Sequence, residues 1–226
     1  MGLPDRDLVI FDLDGTLVDS LPATFRCFAA AMAPVLGREP GREEMRARFG
    51  PADHTIVRAW AVEAGCSPAA GDAAVGRLYA GYAREFARLR PVAGTVDLLR
   101  ALRASGRRTA LFTGRGRPST DRLLATAGLE SLFDLTVTGE EPRRPKPEPD
   151  GLLLIAERLG MDPARAVYVG DSRFDAEAAE RAGMAAVVVR WARGSESEPV
   201  VDGVIEAKSV EELAGLLGIG PGAGWP

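Results

Sequence analysis

Histidine occurs once in the 226 residues, at His54, and cysteine twice, at Cys27 and Cys66. A zinc cluster cannot be assembled from so few ligands, and two cysteines make no disulfide framework. They read as reduced thiols, which fits a cytoplasmic protein. No run approaches the roughly 18 uncharged apolar residues of a membrane span. The opening MGLPDRD lacks the positive n-region and long apolar segment of a signal peptide, and lacks the hydroxyl residue of a myristoylation site. An excess of basic charge is also missing: 28 Lys and Arg face 32 Asp and Glu, for a net charge of −4. That argues against nucleic acid as a partner. Lysine is almost absent, occurring only at Lys146 and Lys208. A lysine here is therefore informative about its position.

What is present is an ordinary globular composition, 46% hydrophobic and 27% charged, long enough for one large domain or a domain with an insert. Short runs rich in Val, Leu and Ile recur: LVIF (8–11), TALFT (109–113), LTVT (135–138), AVYVG (166–170), AAVVVRW (185–191) and GVIE (203–206). Such runs fit strands covered on both faces, as in a parallel sheet. Helical patterns lie between most of them, over 95–105, 119–127, 149–159 and 174–182, each stopping at a glycine. Ser209 and Glu212 predict a capping box for a last helix ended by Gly218. Strands alternating with helices predict an α/β fold, a doubly wound parallel sheet. From 21 to 90 the strand signal vanishes, and Val75, Leu78, Tyr82 and Phe86 follow helical spacing. The expected organisation is an α/β core at about 1–20 and 91–220, a small all-helical domain at 21–90 inserted after the first strand, and a loose tail at 221–226.

The strand LVIF runs into Asp12, Leu13, Asp14 and Gly15. Ligands of doubly wound sheets bind beyond the carboxyl ends of the strands. Two carboxylates so close repel unless a cation lies between them or one is protonated. The plainer reading is a turn-forming Asp-Gly pair. AVYVG likewise ends in Asp171, Ser172 and, three residues on, Asp175. Helix capping explains one of those acids but not both. Three or four carboxylates from two strand ends suit a hard cation such as Mg²⁺. Thr113 and Gly114, ending a third strand, offer a hydroxyl and a free amide to phosphate oxygens, or a plain turn. Arg115 and Arg117 read as solvated loop charges, with contact to substrate the alternative. In RRPKPEPD (143–150), prolines stiffen a loop around Lys146, which would offset negative charge near a phosphate; the plainer reading is a charged surface loop. Together these groups make Asp12 a nucleophile forming an aspartyl-phosphate, and Asp14 the acid that protonates the leaving oxygen and then the base that deprotonates water.

The four segments resemble the signature of the haloacid dehalogenase-like hydrolases. DLDGT (12–16), Thr113, Lys146 and GDSRFD (170–175) match in order and spacing across nearly the whole chain. DGTLVDS, KPEPD and the helical insert resemble the phosphoglycolate phosphatase-like branch with its C1 cap. The resemblance implies Mg²⁺ held by Asp12, the Asp14 carbonyl and Asp171, with Asp175 a weaker ligand or a supporting group. Thr113, Gly114 and Lys146 would hold the phosphoryl group. Many relatives carry TN where this chain has TGRGR, so contacts beside the phosphate are expected to differ. Asp14 separates the chain from the dehalogenases, which lack a second aspartate. The absence of lysine from 21 to 90 separates it from phosphonoacetaldehyde hydrolases, whose cap supplies one. The expected activity is Mg²⁺-dependent hydrolysis of a small phosphorylated metabolite, with phosphoglycolate as the default. A sugar phosphomutase and a non-catalytic binding module are the alternatives. In the insert, Arg46, Arg48, His54 and Arg58 are candidate contacts that the sequence does not place; His54 reads as a surface or packing residue. FGPADH (49–54) is either a loop dipping into the site or a helix break. The oligomeric state is left open.

Overall fold

The structure, a computed structural model, describes residues 3–191 and 204–220. The LVIF run forms β1 (Leu8–Phe11), with every residue buried. Alternation sends its side chains both ways. Leu8 and Ile10 join Leu152 and Ile155 on one face, while Val9 and Phe11 join Leu99, Leu123 and Leu213 on the other. Burial on both faces explains why an uncharged run was needed here. Five further strands complete the sheet: β2 (Arg108–Phe112), β3 (Leu135–Val137), β4 (Ala166–Gly170), β5 (Ala185–Val189) and β6 (Ile205–Ala207). All neighbours are parallel, in the order β3-β2-β1-β4-β5-β6. The chain steps outward from β1 through β2 to β3, then returns to β4 on the other side. That reversal places a crevice at the carboxyl ends of β1 and β4.

The core helices are α5 (Thr95–Ala104), α6 (Arg117–Ala127), α7 (Asp150–Leu159), α8 (Arg173–Arg181) and α9 (Val210–Leu216), numbered after the four that precede them. Those four, α1 (Leu21–Leu36), α2 (Arg42–Arg46), α3 (Asp53–Glu63) and α4 (Pro68–Phe86), form the helical cap between β1 and α5. Its interior holds Phe28, Met32, Val57, Trp60, Leu78, Tyr82 and Phe86. Gly81 allows α4 to approach α1: a Cβ there would stand 3.1 Å from the Cys27 sulfur. The two connections to the cap run side by side. Val18 bridges Pro91, and the Val92 amide donates to the Leu17 carbonyl at 2.9 Å.

Several edges differ from the sequence expectation. The second strand stops at Phe112, leaving Thr113 to open the loop. The strand expected through Trp191 ends at Val189, and the indole of Trp191 instead donates to the Thr16 carbonyl at 2.9 Å. The last strand starts at Ile205; Gly203 and the tail at 221–226 lie outside the described residues. At α9 only half of the expected capping box forms. Ser209 accepts the Glu212 amide at 3.2 Å, but the Glu212 carboxylate takes the amide of Lys208, at 2.8 Å.

Candidate active site

Asp12 extends the ladder by one residue, its amide donating to the Val169 carbonyl at 2.8 Å. The chain then turns through Leu13, which is fully buried, and Gly15, whose φ is +82°. Left-handed backbone of this kind is readily open only to glycine. Space demands glycine as well, since a Cβ on Gly15 would lie 2.2 Å from Asp171 Oδ2. Gly170, at the end of β4, repeats the device: a Cβ there would lie 2.4 Å from the Asp175 side chain. Two bare glycines thus let acids of neighbouring strand ends converge.

Lys146 sits among them. Its ammonium donates to Asp12 Oδ1 at 2.7 Å, to Asp175 Oδ1 at 2.8 Å and to the Tyr168 hydroxyl at 3.0 Å. The Tyr168 oxygen is also 3.2 Å from the Phe112 carbonyl and 3.0 Å from Asp175 Oδ1. The second oxygen of Asp175 accepts the Ser172 amide at 3.1 Å and the Ser172 hydroxyl at 2.6 Å, closing a capping box at the start of α8. Burial opposes the charge on Lys146, but Asp12 and Asp175 outweigh it and hold the pKa well above the usual value. Burial pushes Asp12 up to about 7, with Asp175 and Asp14 adding to the rise and Lys146 countering it. Burial likewise lifts Asp171 far above the carboxylate range, reinforced by Asp175 and Asp12. Asp175 is held low: burial works against its anion, and Lys146, Ser172 and Tyr168 more than compensate.

Oxygens of Asp12, Asp171 and Asp175 lie within 4.8 Å of one another. Asp12 and Asp175 share the Lys146 ammonium with Asp171 close by, and burial makes the uncompensated charge costly. A hard divalent cation fits this donor set: all ligands are oxygens, and the charge it would bring is the charge the cluster lacks.

Asp14 faces a different cation. Arg115 grips it with both ends of the fork, Nε to Oδ2 at 2.7 Å and Nη2 to Oδ1 at 2.6 Å. The Ser20 hydroxyl also donates to Oδ1. Arg115 is only 5% exposed, which corrects the expectation of a solvated loop charge. Its guanidinium centre lies 4.9 Å from the rings of Tyr82 and Phe86 in the cap, and it donates to the Thr24 hydroxyl of α1. Burial opposes its charge, but Asp14 outweighs burial and raises its pKa. The position had one legible signal: an arginine three residues past a strand end stands near the acids of the neighbouring strand end. Arg117 conforms better to the expectation, pairing at the surface with Glu141 at 2.5 Å.

A cavity of about 200 Å³ joins these groups, lined by Asp12, Asp14, Gly114, Lys146, Asp171 and Asp175 from the core. Thr113 lies behind that wall, fully buried, its hydroxyl oxygen accepting the Arg115 amide at 3.2 Å. The cap supplies Arg46 and the loop Phe49, Gly50 and Pro51, so FGPADH is both a loop at the site and the break between α2 and α3, with Asp53 and His54 opening α3. Arg48 and Arg58 are elsewhere, paired with Glu63 and Asp72. Asp53 reaches across the seam to the Ser119 hydroxyl of α6, at 2.5 Å. His54 packs beside it, 3.2 Å from the Tyr79 hydroxyl and 3.4 Å from Glu140.

Comparison with known proteins bears on the family and the fold. A family model described as haloacid dehalogenase-like hydrolase matches residues 9–189. A phosphoglycolate phosphatase of Synechococcus elongatus is 35% identical over 187 residues, covering 81% of this chain and 83% of the relative. The phosphoglycolate phosphatase of Pseudomonas putida is 32% identical over 218 residues, covering 93% and 78%. Among solved structures, CbbY from Rhodobacter sphaeroides in complex with xylulose-(1,5)bisphosphate superposes with a TM-score of 0.73. It is 21% identical, with coverage of 97% of this chain and 99% of that one.

Proposed function

The chain belongs to the haloacid dehalogenase-like hydrolase family and is a phosphatase, and on that premise we propose that it hydrolyses a small phosphomonoester through an aspartyl-phosphate on Asp12, with Mg²⁺ as its metal. The observation that carries this reading is the buried Asp12 oxygen held 2.7 Å from the Lys146 ammonium inside the acidic cluster. Asp12, Asp171 and the Asp14 carbonyl would hold the cation, which when bound offsets the repulsion between the carboxylates and an anionic phosphate. Asp175 would be a supporting group or a weaker ligand, since both its oxygens are already engaged by Lys146 and Ser172.

In the first half-reaction an Asp12 oxygen attacks phosphorus while Asp14 gives a proton to the leaving alcohol. In the second, Asp14 takes a proton from the water that attacks the phosphorus, and Asp12 is released with inorganic phosphate. Lys146 and the Gly114 amide neutralise the phosphoryl oxygens as their charge grows, while the buried Thr113 hydroxyl holds the Arg115 amide in the loop beside them. The cap closes the cavity over the substrate and limits its size. The phosphoglycolate phosphatases among the relatives make phosphoglycolate the first compound to test.

The experiment is phosphate release from a panel of phosphoglycolate and hexose and pentose phosphates, with Mg²⁺ or with chelator. Release that requires the metal and falls by on the order of 10³-fold or more in Asp12→Asn is expected for loss of a nucleophile. Hydrolysis unchanged by the chelator or by that substitution would overturn the mechanism.

A further inference from the structure

The carboxylate of Asp14 has about four lone-pair sites. Arg115 occupies one on each oxygen, and Ser20 takes a second on Oδ1. The site left for a proton is on Oδ2. The arginine that fixes this orientation is itself held from the cap: by the Thr24 hydroxyl and by the faces of Tyr82 and Phe86, each 4.9 Å away. Its third nitrogen, Nη1, is buried without a hydrogen-bond partner among the described residues. Burying a guanidinium this deeply is costly without a partner charge, and Asp14 and the two rings are what offset it. The arginine is therefore held jointly, by Asp14 of the core and by the cap helices α1 and α4.

We propose that Arg115 is a positioning residue that aims Asp14 Oδ2 at the leaving oxygen and makes that aim depend on the seated cap. The inference rests on Asp14 being the acid and base of the proposed reaction. As the phosphorus–oxygen bond breaks, the proton on Oδ2 passes to the departing alkoxide, and the guanidinium fork keeps the carboxylate from rotating away. With the cap displaced, Arg115 loses Thr24 and both rings, and Asp14 loses its aim. Proton delivery is thereby confined to the closed site.

The test uses leaving groups that differ in their need for a proton. The ratio kcat/KM reports the first half-reaction, in which the leaving group departs. It is measured for p-nitrophenyl phosphate, whose phenolate leaves unaided, and for the best alkyl phosphate of the panel. Arg115→Ala is expected to lower the alkyl value by on the order of 10²-fold, the scale of a general acid's contribution, and the aryl value by about threefold or less. Arg115→Lys keeps the charge but loses the fork, so it should not restore the alkyl value. Thr24→Val, which removes only the hydroxyl tie, should show the same selectivity at smaller size and serves if Arg115→Ala does not fold. Asp14→Asn is the reference. If it is alkyl-selective while the Arg115 and Thr24 variants lose both substrates equally, or lose neither, the positioning role falls and Asp14 keeps its own. If Asp14→Asn shows no selectivity, the acid role falls and the inference with it.

Discussion

The single histidine gives a local probe of the seam between cap and core. His54 lies 3.6 Å from Asp53 and 3.4 Å from Glu140, with the Tyr79 hydroxyl beside it and Arg58 opposing its charge. Asp53 raises its pKa foremost, Glu140 adds to the rise, and burial works against it. Because the folded pKa lies above the unfolded one, the stabilisation is full below about pH 6.5, and is lost as pH rises through the folded value. An NMR titration should find one imidazole titrating above about 6.5, and lower in Glu140→Gln. A value at or below the reference would remove the charge coupling. At this scale the sequence was informative where chemistry is scarce. Lys146 stood out because lysine is rare, and Asp12, Asp14 and Asp171 because acids rarely end buried strands. Arg115 was hidden by the opposite circumstance: nearly every cation in the chain is arginine, and its partner lies 101 residues away. Tyr168 was also missed, although a hydroxyl in an otherwise apolar buried strand needs a partner.

Elements were legible in kind and less so at their ends. The run of glycines after helical patterns located the helix stops, since Gly128 and Gly160 take left-handed backbone there. The capping box was expected at α9 and is complete at α8, where Ser172 and Asp175 bond reciprocally. The spacing is the same in both, but at α9 the glutamate has a competing amide one residue earlier. At α8 the box has a second task, because the residue that closes it also meets Lys146. Ser172→Ala should lower unfolding free energy by about 1 kcal/mol in urea melts, the usual value of a cap. It should also weaken metal binding in calorimetric titration, because Asp175 loses its anchor. Stability lost with metal affinity unchanged would show that the helix cap and the site are independent.

Across the whole molecule, the seam between cap and core is closely filled at one backbone position, Gly116. A Cβ on Gly116 would fall 2.8 Å from both Asp53 Oδ1 and His54 Nδ1, and 2.9 Å from a Glu140 oxygen. Its backbone is ordinary, with φ of −72°, so the constraint is space alone. Gly116→Val must push the Asp53 carboxylate and the His54 ring aside, and is therefore expected to loosen α3 at the seam without unfolding the sheet. Hydrogen exchange should quicken in α3, KM should rise, and protection of β1 and β4 should persist; unchanged exchange in α3 would refute the tight seam. None of this packing was readable from the sequence, because the glycine and the groups it admits come from three separate segments.

The side-by-side entry and exit of the cap, at Val18 and Pro91, carry a consequence for ancestry and engineering alike. A cassette whose two ends already touch can be exchanged for another, or for a short loop, without rethreading a single strand. For the proposed reaction this means that the cap can be replaced to change what the cavity admits, while the carboxylates beneath stay as they are.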